Sequence, residues 1–209
     1  MIYLRELTGA DVAIINEWRR DKELLSHLVA PFRYINIETE QKWFDDYLTK
    51  RDNNLRCAIC STKTNEIVGA VYLLNIDHVS RSAELGILIG KRELLNKGVG
   101  FFAMKLMLDH AFLNLNLHRV YAAILEYNER SIHVAETLGF HREGVLRESV
   151  YKDGKYHNQV PMGVLKHEYL ASISSLGKAK GISQDLAHRN DETPEAEPPG
   201  KEKKAEVKT

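Results

Sequence analysis

Three runs with strand character follow one another at short spacing, and they constrain the fold more than anything else in the chain. They are Leu55–Ser61, Ile67–Asn75 and Ser82–Ile89. Each is apolar or β-branched and bounded by turn formers: Thr62-Lys63-Thr64-Asn65 after the first, and Ile76-Asp77-His78 running on to Arg81 after the second. Connections this short leave no room for a crossover helix, so the three strands form an antiparallel meander.

Around the meander the period is mostly helical. Ile2–Leu7 reads as a first strand, and Thr8 is placed to cap a helix over about Ala10–Arg20, with Val12, Ile15 and Trp18 on one face. A second amphipathic helix covers about Thr39–Lys50, with Trp43, Phe44 and Tyr47 at helical spacing. After the meander, Gly98-Val99-Gly100 opens a helix over about Phe101–Leu113. Arg119–Leu125 is apolar enough to be a strand buried on both faces. Ser131–Leu138 is a short helix stopped by Gly139. Val145–Tyr151 and Tyr156–Leu165 form a hairpin around Asp153-Gly154. The order β-α-α-β-β-β-α-β-α-β-β makes an α+β fold of one domain over residues 1–170.

Composition separates the rest. The 209 residues carry 29 basic and 29 acidic side chains. Residues 171–209 hold seven of each sign and three of the five prolines, and no aromatic lies beyond Tyr169. Such a segment has too little apolar surface to offset its ordering entropy, and a disordered charged tail is expected over residues 171–209, read most directly from Leu176 onward. The zero net charge argues against a bulk nucleic-acid binder, whose phosphate affinity needs a cationic excess. Cys57 and Cys60 form a CxxC on a strand, where residues three apart face opposite sides. No second pair exists to complete a zinc site, so both cysteines are structural and no metal is expected. The charged N-terminus lacks the apolar core of a signal peptide, and the apolar run Ile67–Leu74 is too short to span a bilayer. A cytoplasmic protein with no membrane partner is expected.

Two segments bear chemistry. In Ile89 to Phe101 a strand ends, a glycine-containing turn follows and a helix starts. Helix-start N–H groups lacking intrahelical partners make an anion site, and Gly98 and Gly100 let the backbone approach a pyrophosphate closely. The run is neither a Walker motif nor a dinucleotide fingerprint; plain helix entry is its simplest alternative. In Glu126 to Phe140 an apolar strand ends at Asn128, and a helix closes on Gly139-Phe140. Alone, this is Asn128 capping a helix.

Together, at this spacing, the two segments resemble the GNAT family, the Gcn5-related N-acetyltransferases, over residues 2–169. Leu95-Asn96-Lys97-Gly98-Val99-Gly100 is similar to the family's Gln/Arg-x-x-Gly-x-Gly/Ala loop, with Leu95 departing from Gln/Arg. Asn128, Ser131, Glu136, Gly139 and Phe140 match Asn-x-x-Ser-x-x-x-x-Glu-x-x-Gly-Phe, a pattern of the branch holding ribosomal-protein, spermidine and amino-sugar acetyltransferases. Ala83–Gly90 looks like that branch's fourth strand.

The resemblance implies a central mixed, mostly antiparallel sheet of six to seven strands with about four helices in an α/β/α arrangement, splayed between strands four and five. It implies acetyl-CoA as co-substrate in the splay. Backbone groups of Ile87, Leu88 and Ile89 would pair with the pantetheine arm like an added strand. Amides of Asn96, Lys97, Gly98, Val99, Gly100 and Phe101 would hold the pyrophosphate, and Asn128 would bond the pantetheine or order the loop. An acceptor amine attacks the thioester directly, aided by orientation and an oxyanion donor near Ile87. Glu84 is the first candidate for general base, ahead of Glu126. Ala135 stands where many members carry a Tyr acid, and Ser131 matches the serine that replaces it in the ribosomal-protein branch. Tyr127 and Tyr151 are in reserve. The acceptor pocket would come from the first two helices, the link Phe32–Asn36 and the hairpin Glu148–His157. Arg147, Lys152 and Lys155 there would suit an anionic acceptor. A nucleotide-linked amino sugar is put first, a protein N-terminus second, and polyamines or other small amines after them. A non-catalytic acyl-CoA sensor and an unrelated nucleotide binder are the other classes. A homodimer follows by analogy only.

Overall fold

The computed structural model describes residues 1–179. Eight strands are present: β1 Ile2–Glu6, β2 Leu55–Ser61, β3 Ile67–Asp77, β4 Ser82–Ile89, β5 Arg119–Leu125, β6 His141–Arg142, β7 Leu146–Lys152 and β8 Lys155–Leu165. Six α-helices accompany them: α1 Val12–Arg19, α2 Lys22–Ser26, α3 Ile37–Thr49, α4 Val99–Asp109, α5 Glu129–Thr137 and α6 Lys166–Ala179. The bounds of β2, β4 and β5 coincide with the sequence reading. Beyond it are β6, α2 and α6. The sheet has eight strands where six to seven were expected, because Gly139 and Phe140 lead into a two-residue pairing of β6 with Met162 and Gly163. Among the described residues the α-helices number six where about four were expected.

The meander is antiparallel throughout, in the order β1-β2-β3-β4. β4 pairs with β5 in parallel, β5 with β8 antiparallel, and β7 with β8 antiparallel. Asp153 (φ 48°) and Gly154 (φ 83°) form the β7–β8 turn, both residues left-handed as a two-residue primed turn requires. Thr8 starts the first helical segment as expected, its N–H donating to Asp11 Oδ2 at 2.8 Å. Arg5 holds the same carboxylate through two hydrogen bonds of 2.7 and 2.8 Å.

The sheet is covered on both faces. Cys57, Ile59, Leu73, Leu85, Val120 and Met162 pack against Met104, Leu108 and Phe112 of the α4 segment and Ile132 of α5. Ala58, Cys60, Ile67 and Leu88 pack on the opposite face against Val12, Ile15 and Trp18 of α1 and Phe44 of α3. Cys57 and Cys60 therefore lie on opposite faces, as strand alternation requires. β5 is not buried on both faces: Ala123 is exposed and Tyr121 and Ile124 are half-buried, because one side of this strand borders an opening in the sheet.

Met1–Ser174 form one compact unit. α6 continues past residue 170, with Leu170 and Ile173 packed on the core. Beyond Ala179 the expected tail lies outside the described residues. No described helix is long and apolar enough to cross a membrane.

Candidate active site

β4 and β5 are joined by three residue pairs, Ser82–Arg119, Ala83–Val120 and Glu84–Tyr121. Beyond Glu84 the strands part. β4 continues along β3 to Ile89, and β5 continues along β8 to Leu125. The Gly90 N–H donates to the Val68 carbonyl at 2.9 Å. Backbone bonding alternates along an antiparallel pair, so Gly86 and Leu88 turn their polar groups to β3, while Ile87 and Ile89 turn theirs into the opening. Of the three residues expected to face it, Leu88 does not; its side chain is in the α1–α3 core.

The β4–α4 loop closes one end of the opening. Trp18 packs flat on Gly90, where a Cβ would collide with the indole ring. Arg92 is held by Asp21 through bonds of 2.6 to 3.0 Å and by Glu23 at 2.5 Å. Asn96 (φ 64°) and Gly98 (φ 78°) adopt left-handed conformations, which turns successive amides to one side. The N–H groups of Asn96, Gly98, Val99, Gly100 and Phe101 donate to no acceptor among the described residues. The first amide to do so is that of Phe102, to the Gly98 carbonyl at 3.1 Å. Lys97 differs from the expectation, for its N–H is turned inward to the Leu94 carbonyl at 3.4 Å. Its exposed ammonium makes no described ion pair. A Cβ on Gly100 would meet nothing within 4 Å. Five free amides at the start of an eleven-residue helix, with open space before them, form an anion cradle.

At the other wall, β5 ends in Glu126-Tyr127-Asn128. The Asn128 Oδ1 accepts the Ser131 N–H at 3.2 Å, and its Nδ2 donates to the His27 carbonyl at 3.0 Å. Asn128 is thus a helix cap and a tie to the segment after α2. Ser131 lies in the first turn of α5, half-buried, and its hydroxyl has no hydrogen-bond partner among the described residues. Ala135, one turn later, is wholly buried.

Glu84 sits where the strands part. Its Oε2 accepts from Asn75 Nδ2 at 3.1 Å, and Asn75 is itself held by Asn54. Burial raises the pKa of Tyr121 opposite, and the Glu84 charge adds to that rise. Glu126 is across the opening from it, bonded to Asn158 Nδ2 at 2.8 Å.

The structure adds a feature absent from the sequence reading. Residues 21–30, including α2, pass across the mouth of the opening. Asp21 and Glu23 hold Arg92 of the β4 side. On the β5 side, Tyr127 Oη donates to the Ser26 carbonyl at 2.5 Å and Asn128 to that of His27. Lys152 Nζ donates to the Ala30 carbonyl at 2.7 Å, and Lys22 pairs with Asp153 at 2.7 Å. Lys152 is buried, and its pKa is lowered by that burial. It is a strut and not a free cation, unlike the exposed Arg147 and Lys155. The only sequence signal for α2 is Asp21 before Glu23 and Leu24, whose N–H groups it caps at 3.0 Å.

The comparisons with known proteins agree with this fold. The GNAT acetyltransferase domain model matches residues 2–141. A spermidine N(1)-acetyltransferase of Escherichia coli is 38% identical over 113 residues, 54% of this chain and 60% of that one. The chain thus matches less than two thirds of that relative's length. A spermidine N(1)-acetyltransferase of Vibrio cholerae is 28% identical over 167 residues, 80% of this chain and 94% of its own. A putative ribosomal N-acetyltransferase of Bacillus subtilis is 37% identical over 103 residues, 49% of this chain and 56% of its own. The crystal structure of spermidine N-acetyltransferase from Vibrio cholerae in complex with CoA and spermine superposes with a TM-score of 0.76 at 26% identity, over 81% of this chain and 98% of that one. Sequence and structure agree that this chain belongs to the GNAT acetyltransferase family.

Proposed function

We propose that the protein transfers an acetyl group from acetyl-CoA to a primary amine of a polyamine, by direct attack in a ternary complex. The observation that carries the reaction class is the opening between β4 and β5, with free backbone groups of Ile87 and Ile89 on one wall and five free amides at its end. These fit an extended pantetheine arm and a pyrophosphate, and the open space at Gly100 lets the diphosphate approach the amides. Bound acetyl-CoA supplies the activated acyl group. The Ile87 N–H is placed to stabilise the oxyanion. Glu84, at the point of parting, takes a proton from the acceptor's ammonium, directly or through one water, and leaves the neutral amine that attacks the thioester. The unpartnered Ser131 hydroxyl gives a proton or hydrogen bond to the departing sulfur. Asn128 orders the α5 start, which fixes Ser131.

The acceptor is supported by relatives. The Escherichia coli and Vibrio cholerae proteins are named for spermidine, which favours a polyamine over the nucleotide-linked amino sugar put first from sequence and over a ribosomal N-terminus. Lys152, one of the three cations that favoured an anionic acceptor, is occupied by the Ala30 carbonyl. Self-association also follows from a relative, since one Vibrio cholerae spermidine N-acetyltransferase structure is dodecameric. The test is thiol release from acetyl-CoA with spermidine, spermine, a nucleotide-linked amino sugar and a ribosomal N-terminal peptide. Turnover highest on spermidine or spermine is expected. Preference for either of the other acceptors rejects the polyamine, and tight CoA binding without turnover on any amine makes the protein a sensor.

A further inference from the structure

The buried side-chain polar atoms without a hydrogen-bond partner among the described residues fall in one cluster: both carboxylate oxygens of Glu40 and the Nε of Arg56. A folded protein leaves few such atoms, and each needs a reason. Glu40 lies in the first turn of α3 with no exposed surface. Arg19 of α1 approaches to 3.6 Å, too far for a hydrogen bond. The Arg56 guanidinium carbon is 4.2 Å from the centre of the Trp43 ring, 5.4 Å from Tyr47 and 5.7 Å from Tyr72. Burial lowers the pKa of Arg56 and raises that of Glu40, with Arg19, the nearby Asn16 amide and Arg56 opposing the latter. Three aromatic rings therefore surround the poorly solvated Arg56 cation, and the Arg19 guanidinium, 5.0 Å from the same Trp43 ring and beside the Glu40 carboxylate, is a second cation of the cluster. Such rings with a carboxylate recognise an alkylammonium.

The cluster adjoins the opening in the sheet. Arg56, Tyr72 and Gly86 are register neighbours on β2, β3 and β4. Gly86 presents no side chain, and a Cβ there would stand 3.6 Å from the Tyr72 ring. Glu84 is two residues earlier on the same face of β4. β2 and β4 are two strand spacings apart, about 10 Å. Arg56, Trp43 and Tyr47 also line a hollow of about 320 Å³, whose other charged lining residues are Asp46, Lys42 and Lys50.

We propose that Glu40, Trp43, Tyr47 and Tyr72 form the subsite for a distal ammonium of the acceptor, and that the Arg56 guanidinium is its built-in occupant, displaced into the hollow toward Asp46 when the acceptor arrives. The proposal rests on the polyamine reading above. One cation replaces another, so the charge beside Glu40 and Arg19 is conserved, and the orphaned carboxylate oxygens gain N–H donors.

The experiment compares KM for spermidine and for n-butylamine, which has one ammonium, in full-length wild type, Glu40→Gln and Arg56→Ala. Melting temperature and CoA affinity are measured alongside. Glu40→Gln should raise the spermidine-to-butylamine KM ratio about tenfold, the worth of one hydrogen bond to a charged group. Arg56→Ala should lower the ratio severalfold, since the competing cation is gone. A cluster that merely holds α1 and α3 on the sheet would shift both amines alike. If Glu40→Gln fails to fold, Arg56→Ala decides alone. A ratio that stays at the wild-type value, or rises in Arg56→Ala, overturns the subsite while the polyamine reading stands. A wild type that prefers neither spermidine nor spermine over butylamine overturns both.

Discussion

Replacing Gly100 by Glu separates what the β4–α4 loop does for binding from what it does for folding. Gly100 is the second residue of α4, its φ is not left-handed, and an added Cβ meets nothing within 4 Å. A carboxylate at a helix start is stabilising by about 0.3–1 kcal/mol, and removing a helical glycine adds up to about 1 kcal/mol more. The ligand-free melting temperature should hold or rise. A pyrophosphate seated on the free amides would lie about 5 Å from the new carboxylate. At an effective dielectric of about 20–40, the nearer phosphate charge alone then costs about 2–3 kcal/mol, which weakens CoA at least roughly 30- to 150-fold. Calorimetric titration reads the affinity directly. In thermal unfolding, CoA at about 100 times its wild-type Kd stabilises the wild type by about 2.7 kcal/mol, a rise of about 5–10 °C at this chain length; the variant should show about a tenth to a third of that rise. Wild-type CoA affinity in Gly100→Glu refutes the loop assignment. A fall in the ligand-free melting temperature refutes the claim that the position is open.

Three further outcomes are expected. Ser131→Ala should lower kcat on the order of 100-fold with CoA affinity intact; a wild-type kcat removes Ser131 from the reaction. Asn128→Ala loses both the α5 cap and the bond to the His27 carbonyl, a cost of about 1–2 kcal/mol that should appear as a melting temperature lower by about 2–8 °C; an unchanged value would mean the cap is idle. Cys57 is pushed up to about 12 by burial and Cys60 is wholly buried, so neither thiol should react with Ellman's reagent until the chain unfolds. Rapid native-state labelling would show that β2 opens.

Local chemistry carried much of this structure in the sequence. The meander followed from alternation between short turns, and the Asp153-Gly154 hairpin from two residues that tolerate left-handed backbone. The Gly98–Gly100 cradle was visible because its donors are backbone groups next to glycines. What was hidden depends on partners far apart in the chain. α2 is a five-residue helix whose cap, Asp21, also binds Arg92, 71 residues away. The amide of Asn128 finds its acceptor 101 residues earlier. Arg147, Lys152 and Lys155 read alike as surface cations, yet the alternation of β7 turns Lys152 inward onto Ala30. α6 was cut short because composition weighed the following residues as one tail, although Leu170 and Ile173 sit at helical spacing and pack on the core. Glu40 and Arg56 each look like ordinary surface charges until β2 and α3 are packed together.

Asp21 has two duties, and they join two segments at the mouth of the opening. One of its carboxylate oxygens caps α2, which crosses the mouth of the opening, and both oxygens grip Arg92 of the β4–α4 loop. If a diphosphate adjusts that loop on binding, α2 should feel it through Asp21, and a displacement of α2 should reach the loop in turn. Thermodynamic reciprocity then applies: the factor by which co-substrate changes acceptor affinity equals the factor by which acceptor changes co-substrate affinity. Asp21→Asn should draw that factor toward one, so that each ligand's dissociation constant no longer depends on the presence of the other.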